Sequence, residues 1–239
     1  MPRAKYDKIY EDMKQKIEQE EYEFQELLPS EHTLIEQYNC SRNTIRRAIA
    51  ELVKDGYVQT LQGKGVRNIF QPVEQNSFTL GHIESFKETS LRNKKEVKTK
   101  VLLLTELVVD EKLSKKTSFP FGTIVYYIQR LHYINGKPLI INHNYFRKDI
   151  VGILTTEIAE QSIYEYLEQQ CHISIVTSKR TMTVEKMTQI DEKYLELGDY
   201  NCLAVISSQT YNAEGVMFEF TQSRHRPDYF RFQDTATRK

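Results

Sequence analysis

Residues 28–70 read LPSEHTLIEQYNCSRNTIRRAIAELVKDGYVQTLQGKGVRNIF, and the punctuation of this stretch decides the N-terminal fold. Pro29 stops whatever precedes it, and Ser30 is a good N-cap for a new helix. That helix turns Leu34, Ile35 and Tyr38 inward and ends near Asn39–Cys40. Ser41 caps a third helix, whose buried stripe is Ile45, Ala48, Ile49, Leu52 and Val53. Gly56 supplies the left-handed position that ends it. Strands over residues 57–61 and 66–70 then flank Gln62-Gly63-Lys64-Gly65, a glycine-rich turn. Upstream, Tyr6, Ile9, Tyr10, Met13 and Ile17 share one face of a first helix. The order is helix, short helix, helix, β-hairpin.

The third helix opens on polar and cationic residues that its buried stripe does not use. Arg42, Asn43, Arg46 and Arg47 point away from the core. Major-groove readout wants such side chains in the first turns of a helix, since arginine fits a guanine edge and asparagine an adenine edge. Ser41, Thr44 and the amides at the helix start suit phosphate oxygens. Gly63, Lys64 and Gly65 at the hairpin tip allow close backbone approach with a cation beside it. His32 is a further candidate contact. Each feature alone also fits an ordinary solvated helix or a tight turn; it is their order that points to DNA. The G-x-x-x-x-G-K-[ST] spacing of a phosphate-binding loop is absent.

Charge follows the same division. The chain has 239 residues and a formal net charge of +0. Residues 1–38 carry five Lys/Arg and ten Asp/Glu, whereas residues 39–70 carry six and two. A neutral protein can bind DNA when its positive charge is gathered on one face. Hydrophobic residues at 39% and charged residues at 28% suit a globular chain. No apolar run approaches the roughly 20 residues of a membrane span, and no signal peptide is expected. Cys40, Cys171 and Cys202 are odd in number and far apart, as expected of reduced thiols in the cytoplasm.

Beyond a linker at residues 71–78, strands and helices mix. Strands are expected over 100–109, 124–134, 139–146, 174–184, 203–212 and 216–226, and helices over 162–170 and 191–197. Asn135-Gly136 is a strong hairpin-turn dipeptide. The domains are therefore 1–70, DNA-binding, and 79–239, an α+β unit with a mainly antiparallel sheet. Tyr229, Phe230 and Phe232 read as core.

Residues 6–70 resemble the winged helix-turn-helix of GntR-type regulators. The resemblance rests on Leu28-Pro29-Ser30-Glu31, Ser41-Arg42-Asn43-Thr44-Ile45-Arg46, Gly56-Tyr57-Val58 and Gly63-Lys64-Gly65, in the family's order. The second part resembles the UTRA effector domain of the HutC branch, through Ser85-Phe86-Lys87-Glu88, Arg130-Leu131-His132, Asn135-Gly136-Lys137-Pro138, Ser162-Ile163-Tyr164 and Glu219 through Phe232. The tail from Ser223 to Phe232 looks most like the trehalose operon repressors. The resemblance implies a homodimeric repressor on double-stranded operator DNA, with trehalose 6-phosphate as effector and no cofactor, metal or membrane partner. The implied DNA contacts are Arg42, Arg46, Asn43 or Thr44, and the tip at Gly63–Gly65. Many relatives carry Arg in place of His32, a departure that bears on the DNA contact there. Relatives also commonly carry Arg in place of His132 and Glu in place of Asn142, which implies a specialised sugar end of the pocket.

The chemistry of the matched residues is compatible with that ligand. Ser85 and Phe86, and Ser162 and Tyr164, stand where helices begin and suit a phosphate. Arg130 suits either a bidentate phosphate contact or a cross-strand ion pair. Glu219, His132, Asn142 and His225 are candidates for sugar hydroxyls, and either histidine alone is equally a structural one. Three alternatives stay open: another effector such as an amino-sugar phosphate, an activator, and, because UTRA-like folds resemble a lyase fold, a small-molecule enzyme. Against the last, no Cys-His or Ser-His-Asp arrangement or metal-ligand spacing is present.

Overall fold

The computed structural model describes residues 5–71, 77–79, 83, 86–88 and 95–233. The chain divides into two compact units between Gln75 and Asn76, the second running to Phe232.

In the first unit, α1 (Lys5–Glu18), α2 (Glu31–Tyr38) and α3 (Arg42–Lys54) precede the hairpin β1 (Val58–Leu61) and β2 (Gly65–Asn68). Ser30 and Ser41 each accept the amide three residues on, at 3.2 Å, so both helix starts carry side-chain caps. Asn39 ends α2 with φ +43° and turns the chain into α3. Ile9, Met13, Ile17, Leu34, Ile45, Ala48, Leu52 and Val58 close the core. Tyrosines use up much of the acidity of α1 and its surroundings: Tyr38 donates to Asp12, Tyr57 to Glu18 and Tyr10 to Asp55.

The expected second strand ends two residues early. Phe70 leaves it to stack on Tyr57, with ring centres 4.7 Å apart. The stretch before α2 adds a third, irregular line to the hairpin, through Leu28 N to Val66 O, Asn68 N to Glu26 O, and the Leu27–Arg67 bridge. Asn68 fastens this join. It is buried, donates to Tyr22 O (2.7 Å) and Glu23 O (3.1 Å), and accepts from Phe70 N (2.9 Å).

The second unit is built on six antiparallel strands: β4 (Val97–Val108), β5 (Ile124–Ile134), β6 (Lys137–Arg147), β7 (Ile175–Lys186), β8 (Cys202–Asn212) and β9 (Met217–His225). Their spatial order is β4-β5-β6-β9-β8-β7. Asn135 and Gly136 turn β5 into β6 with φ of +49° and +78°. The architecture is α+β, as expected. Three short helices were not legible in the sequence: α4 (Glu111–Thr117), α5 (Lys148–Val151) and α6 (Thr156–Glu160). They join α7 (Ile163–Gln169) and α8 (Gln189–Tyr194), both near their expected places. The linker expectation needs correction at its end, because Ser77–Thr79 forms β3 and pairs with β10 (Arg231–Gln233). Phe232 also departs from its core assignment and is 41% exposed.

Helices α5 to α7 pack on one sheet face, around Ile128, Phe146, Leu154, Ile163 and Leu167. On the other face Val109 and Phe119 cover Val125, Tyr145 and Phe220, and Leu195 and Leu197 cover Leu131, Ile141 and Val205. Between these patches lies a closed ion cluster. Arg224, 3% exposed, grips fully buried Asp191 through Nε (3.0 Å to each oxygen) and Nη2 (2.9 Å), and donates from Nη1 to Glu185 at 2.6 Å. Asp191 also completes the capping box of α8 with Thr188.

Two stability predictions follow from these joins. Asp191→Asn leaves a buried guanidinium short of its charge partner, so urea unfolding of the second unit should lose about 3 kcal/mol; a loss under 1 kcal/mol would contradict the closed-pair reading. Asn68→Ala strands two carbonyls and an amide, and should lower the stability of the first unit by about 2 kcal/mol while leaving the second unit's transition in place.

Candidate effector cavity and DNA interface

The exposed arc of α3 follows from its period. With Ile45, Ala48, Ile49 and Leu52 buried, residues 42, 43, 46, 47 and 50 fall on the opposite side and are exposed. Glu31 at the start of α2 gathers two of the arginines. Its carboxylate lies 3.0 Å from Arg46 Nε and 3.6 Å from Arg42 Nε. Arg47 is held elsewhere: its guanidinium lies 3.7 Å from the ring centre of Tyr6 and donates to Tyr6 Oη at 3.0 Å. The surface left for a groove is thus Arg42, Asn43 and Arg46, with small Ala50 beside them. Ser41 and Thr44, expected to reach phosphates, face each other at 2.8 Å, and Ser41 also takes the Thr44 amide. Their hydroxyls serve the helix start first. His32 is exposed, 3.7 Å from Glu36.

At the hairpin tip Gly63 and Gly65 have φ of +71° and +115°. A side chain at either position would be strained by the backbone itself, since this region is open chiefly to glycine. Lys64 between them is exposed.

The second unit contains a cavity of about 630 Å³ on the sheet face that also carries α7. The antiparallel register builds its floor. Arg130 on β5 stands opposite Asn142, then Ser223, Ile206 and Met182 across the sheet. The next row runs Ile128, Asn144, Thr221, Ser208, Arg180. Alternation sends this set to one face, because successive strand residues point to opposite sides.

Phe86, Arg130, His132, Asn142, Ser162, Tyr164, Glu219 and His225 all line this cavity, and Ser85 lies outside the described residues. At its centre Glu219 is buried and accepts three hydrogen bonds: Tyr164 Oη at 2.6 Å, Asn144 Nδ2 at 3.3 Å and Thr221 Oγ1 at 2.5 Å. Arg130 donates through Nε to Asn144 Oδ1 at 2.9 Å. Among the described residues the cross-strand ion pair considered for Arg130 is not formed; an amide links it to Glu219 instead. Burial lowers the Arg130 guanidinium to about 10, against the pull of Glu219, so it stays charged at neutral pH. Burial also pushes His225 down to about 3 and His132 well below the usual imidazole range, with Arg130 adding to the shift at His132. Both rings are neutral in the folded protein. Burial and the Glu219 carboxylate raise the Tyr164 hydroxyl, which remains a donor.

Sequence reasoning missed Arg180, Ser178, Ser208, Asn144 and Thr221. The alternation of Ser178, Arg180 and Met182 along β7 was the available signal, but which side faces the ligand depends on partners far away in sequence.

The "Bacterial regulatory proteins, gntR family" model matches residues 5–67, and the UTRA domain model matches residues 92–231. The HTH-type transcriptional regulator TreR of Bacillus subtilis is 35% identical over 234 residues, 98% of each chain. The structure of the B. subtilis trehalose repressor effector-binding domain superposes with a TM-score of 0.54 at 32% identity, covering 59% of this chain and 99% of that one. Over the whole length, the crystal structure of the B. subtilis regulator YydK has a TM-score of 0.82, covering 98% of this chain and all of the other, at 22% identity, which speaks for the fold. The gntR family model describes bacterial regulatory proteins and the whole-length relative TreR is a transcriptional regulator, so the non-enzymatic reading holds. Carrying a winged helix-turn-helix and a UTRA domain that matches more than half its length, the chain belongs to the GntR family of bacterial DNA-binding transcriptional regulators.

Proposed function

We propose that this regulator is the cytoplasmic, homodimeric repressor of a trehalose-utilisation operon, released from its operator by a sugar phosphate, trehalose 6-phosphate. The observation that carries the effector class is the charge of the cavity. Lys98, Arg130 and Arg180 stand against two carboxylates, Glu160 and Glu219, while Lys87 is already paired with Glu165 at 2.7 Å. That surplus of cations favours an anionic ligand, and a phosphate brings a charge between about −1.5 and −2 at neutral pH. The hydroxyls of Thr99, Ser162, Tyr164, Ser178 and Ser208 suit a polyhydroxylated body. The volume lies within the roughly 300–1,000 Å³ of small-ligand sites. The likeness to TreR along almost the whole chain, and to the B. subtilis trehalose repressor's effector-binding domain, supports a trehalose operon in particular.

Repression then requires two recognition helices on a two-fold operator, with half-sites about one helical turn apart. The ligand acts by population shift: it binds better to a conformation whose DNA-binding units do not fit the two half-sites together. None of the described helices is long and apolar enough to cross a membrane, which fits a cytoplasmic role.

Trehalose 6-phosphate at about 100 times its dissociation constant should stabilise the effector unit by roughly 2.7 kcal/mol, visible as a rise in melting temperature. Trehalose alone should give no rise. Arg130→Gln should weaken that ligand about 10- to 100-fold in calorimetry. A flat melting temperature with every sugar phosphate tried would remove this effector class.

Operator affinity is read by fluorescence anisotropy, on a site selected by the full-length protein from random sequence. Arg42→Ala and Arg46→Ala should each cost about 1–3 kcal/mol and relax base preference. Lys64→Ala should weaken all sequences alike and lower the salt slope by about one. Arg47→Ala, held on Tyr6, should leave base preference unchanged; a change there would move the recognition surface. Saturating trehalose 6-phosphate should weaken operator binding, and equal affinity with and without it would end the induction claim.

A further inference from the structure

Two buried polar atoms on the cavity wall have no hydrogen-bond partner among the described residues. His132 is 1% exposed, and its Nδ1 meets Thr99 Oγ1 at 2.9 Å while Nε2 meets nothing. Asn142 Oδ1 is likewise buried and unmet. The register makes these residues diagonal neighbours on one sheet face: His132 opposes Ile140, and Asn142 lies two residues further along β6. Such neighbours are roughly 7–8 Å apart, a gap that one ligand group can bridge. A buried polar atom without a partner destabilises a fold, so two adjacent ones on the wall of one cavity call for a ligand that supplies the bonds.

We infer that His132 and Asn142 form an uncharged subsite that reads a sugar hydroxyl and rejects an ammonium group at the same place. This rests on the sugar-phosphate reading above and narrows it to sugars without a free amine. The chemistry is one of matching capacity. A neutral imidazole presents either N–H or a lone pair at Nε2, according to which way the Thr99 hydroxyl points. With the Thr99 hydroxyl donating to Nδ1, Nε2 carries the proton, so one sugar hydroxyl accepts from Nε2 and gives its single proton to Asn142 Oδ1. An ammonium group only donates. It also stands beside the guanidinium of Arg130, whose Cα is the direct cross-strand partner of Asn142. The same positive field helps keep His132 neutral. Phe86 lies against the imidazole, with ring centres 4.2 Å apart and planes tilted by 44°.

The test is calorimetry on the full chain with trehalose 6-phosphate, glucose 6-phosphate and glucosamine 6-phosphate, paired with the melting temperature of the ligand-free protein. The wild-type protein should bind glucose 6-phosphate at least tenfold more tightly than glucosamine 6-phosphate. Asn142→Val should melt, ligand-free, at the same temperature as wild type or higher, because it removes an unmet buried oxygen. It should nevertheless bind trehalose 6-phosphate at least tenfold more weakly. His132→Leu, as an independent variant, should show the same loss of affinity. Asn142→Glu should bring glucosamine 6-phosphate to within about threefold of glucose 6-phosphate. Equal wild-type affinity for the two monosaccharide phosphates would overturn this inference and leave the sugar-phosphate reading intact. So would a lower ligand-free melting temperature with unchanged affinity in both single variants, which would make the pair structural. A wild-type protein that binds none of the three would overturn the sugar-phosphate reading and this inference together.

Discussion

The antiparallel register of the six-stranded sheet is the constraint on which the effector unit depends. A slip of one residue on β6 would exchange Asn142 and Asn144 for His143 and Tyr145 on the cavity floor. The register is fixed from both sides. The Asn135-Gly136 turn sets β5 against β6, and apolar patches on each face hold the strands to their phase. Because β9 sits between β6 and β8, the chain must finish β7 and β8 before the floor is complete. Arg130 and Arg180 end up four strands apart, about 19 Å at roughly 4.8 Å per strand, at opposite ends of one site.

The two faces of this sheet treat charge in opposite ways. On the closed face Arg224 and Asp191 satisfy each other, with Glu185 and a backbone carbonyl taking the remaining donors. Such a pair holds the fold in place but has nothing left to offer a ligand. On the cavity face the carboxylate of Glu219 is supplied with donors, while Arg130 gives one Nε–H to an amide and keeps its charge. A cavity can offer a cation to an anion only where the protein has not already neutralised it. The amide of Asn144 achieves this by joining Arg130 to Glu219 without a direct contact.

What the sequence made legible was local. Ser30 and Ser41 announced their helices because a cap is a contact between near neighbours, and Gly63 and Gly65 announced a turn because glycine is favoured where φ is positive. The strands of the second unit were legible by composition, and Asn135-Gly136 by its turn preference. The short helices α4 to α6, of four to seven residues, have no room for periodicity; packing on the sheet holds them. Eight cavity residues entered through family resemblance. Arg180, Asn144 and Thr221 did not, because their meeting is decided by strand pairing across long sequence separations. Phe232 looked like core by composition alone, which does not reveal that its strand is a short one paired only with β3.

The same distinction between spent and available charge governs the DNA-binding unit. Part of the acid in residues 1–38 is tied up internally: Asp12 takes Lys16 and Tyr38, and Glu18 takes Tyr57. Glu31 remains, and it stands against Arg42 and Arg46. Exposed ion pairs of this kind are worth at most about 1 kcal/mol, so phosphate or a guanine edge can replace the carboxylate at little cost. Until then Glu31 holds both guanidinium groups on one side of α3 and limits their freedom. Less side-chain entropy is lost when they dock. Arg47, given to Tyr6, braces α1 against α3 instead of reaching for DNA. A net charge of zero therefore conceals a division of labour: Asp12 and Glu18 are committed to the fold, and the arginines of one helix face are held loosely enough to leave.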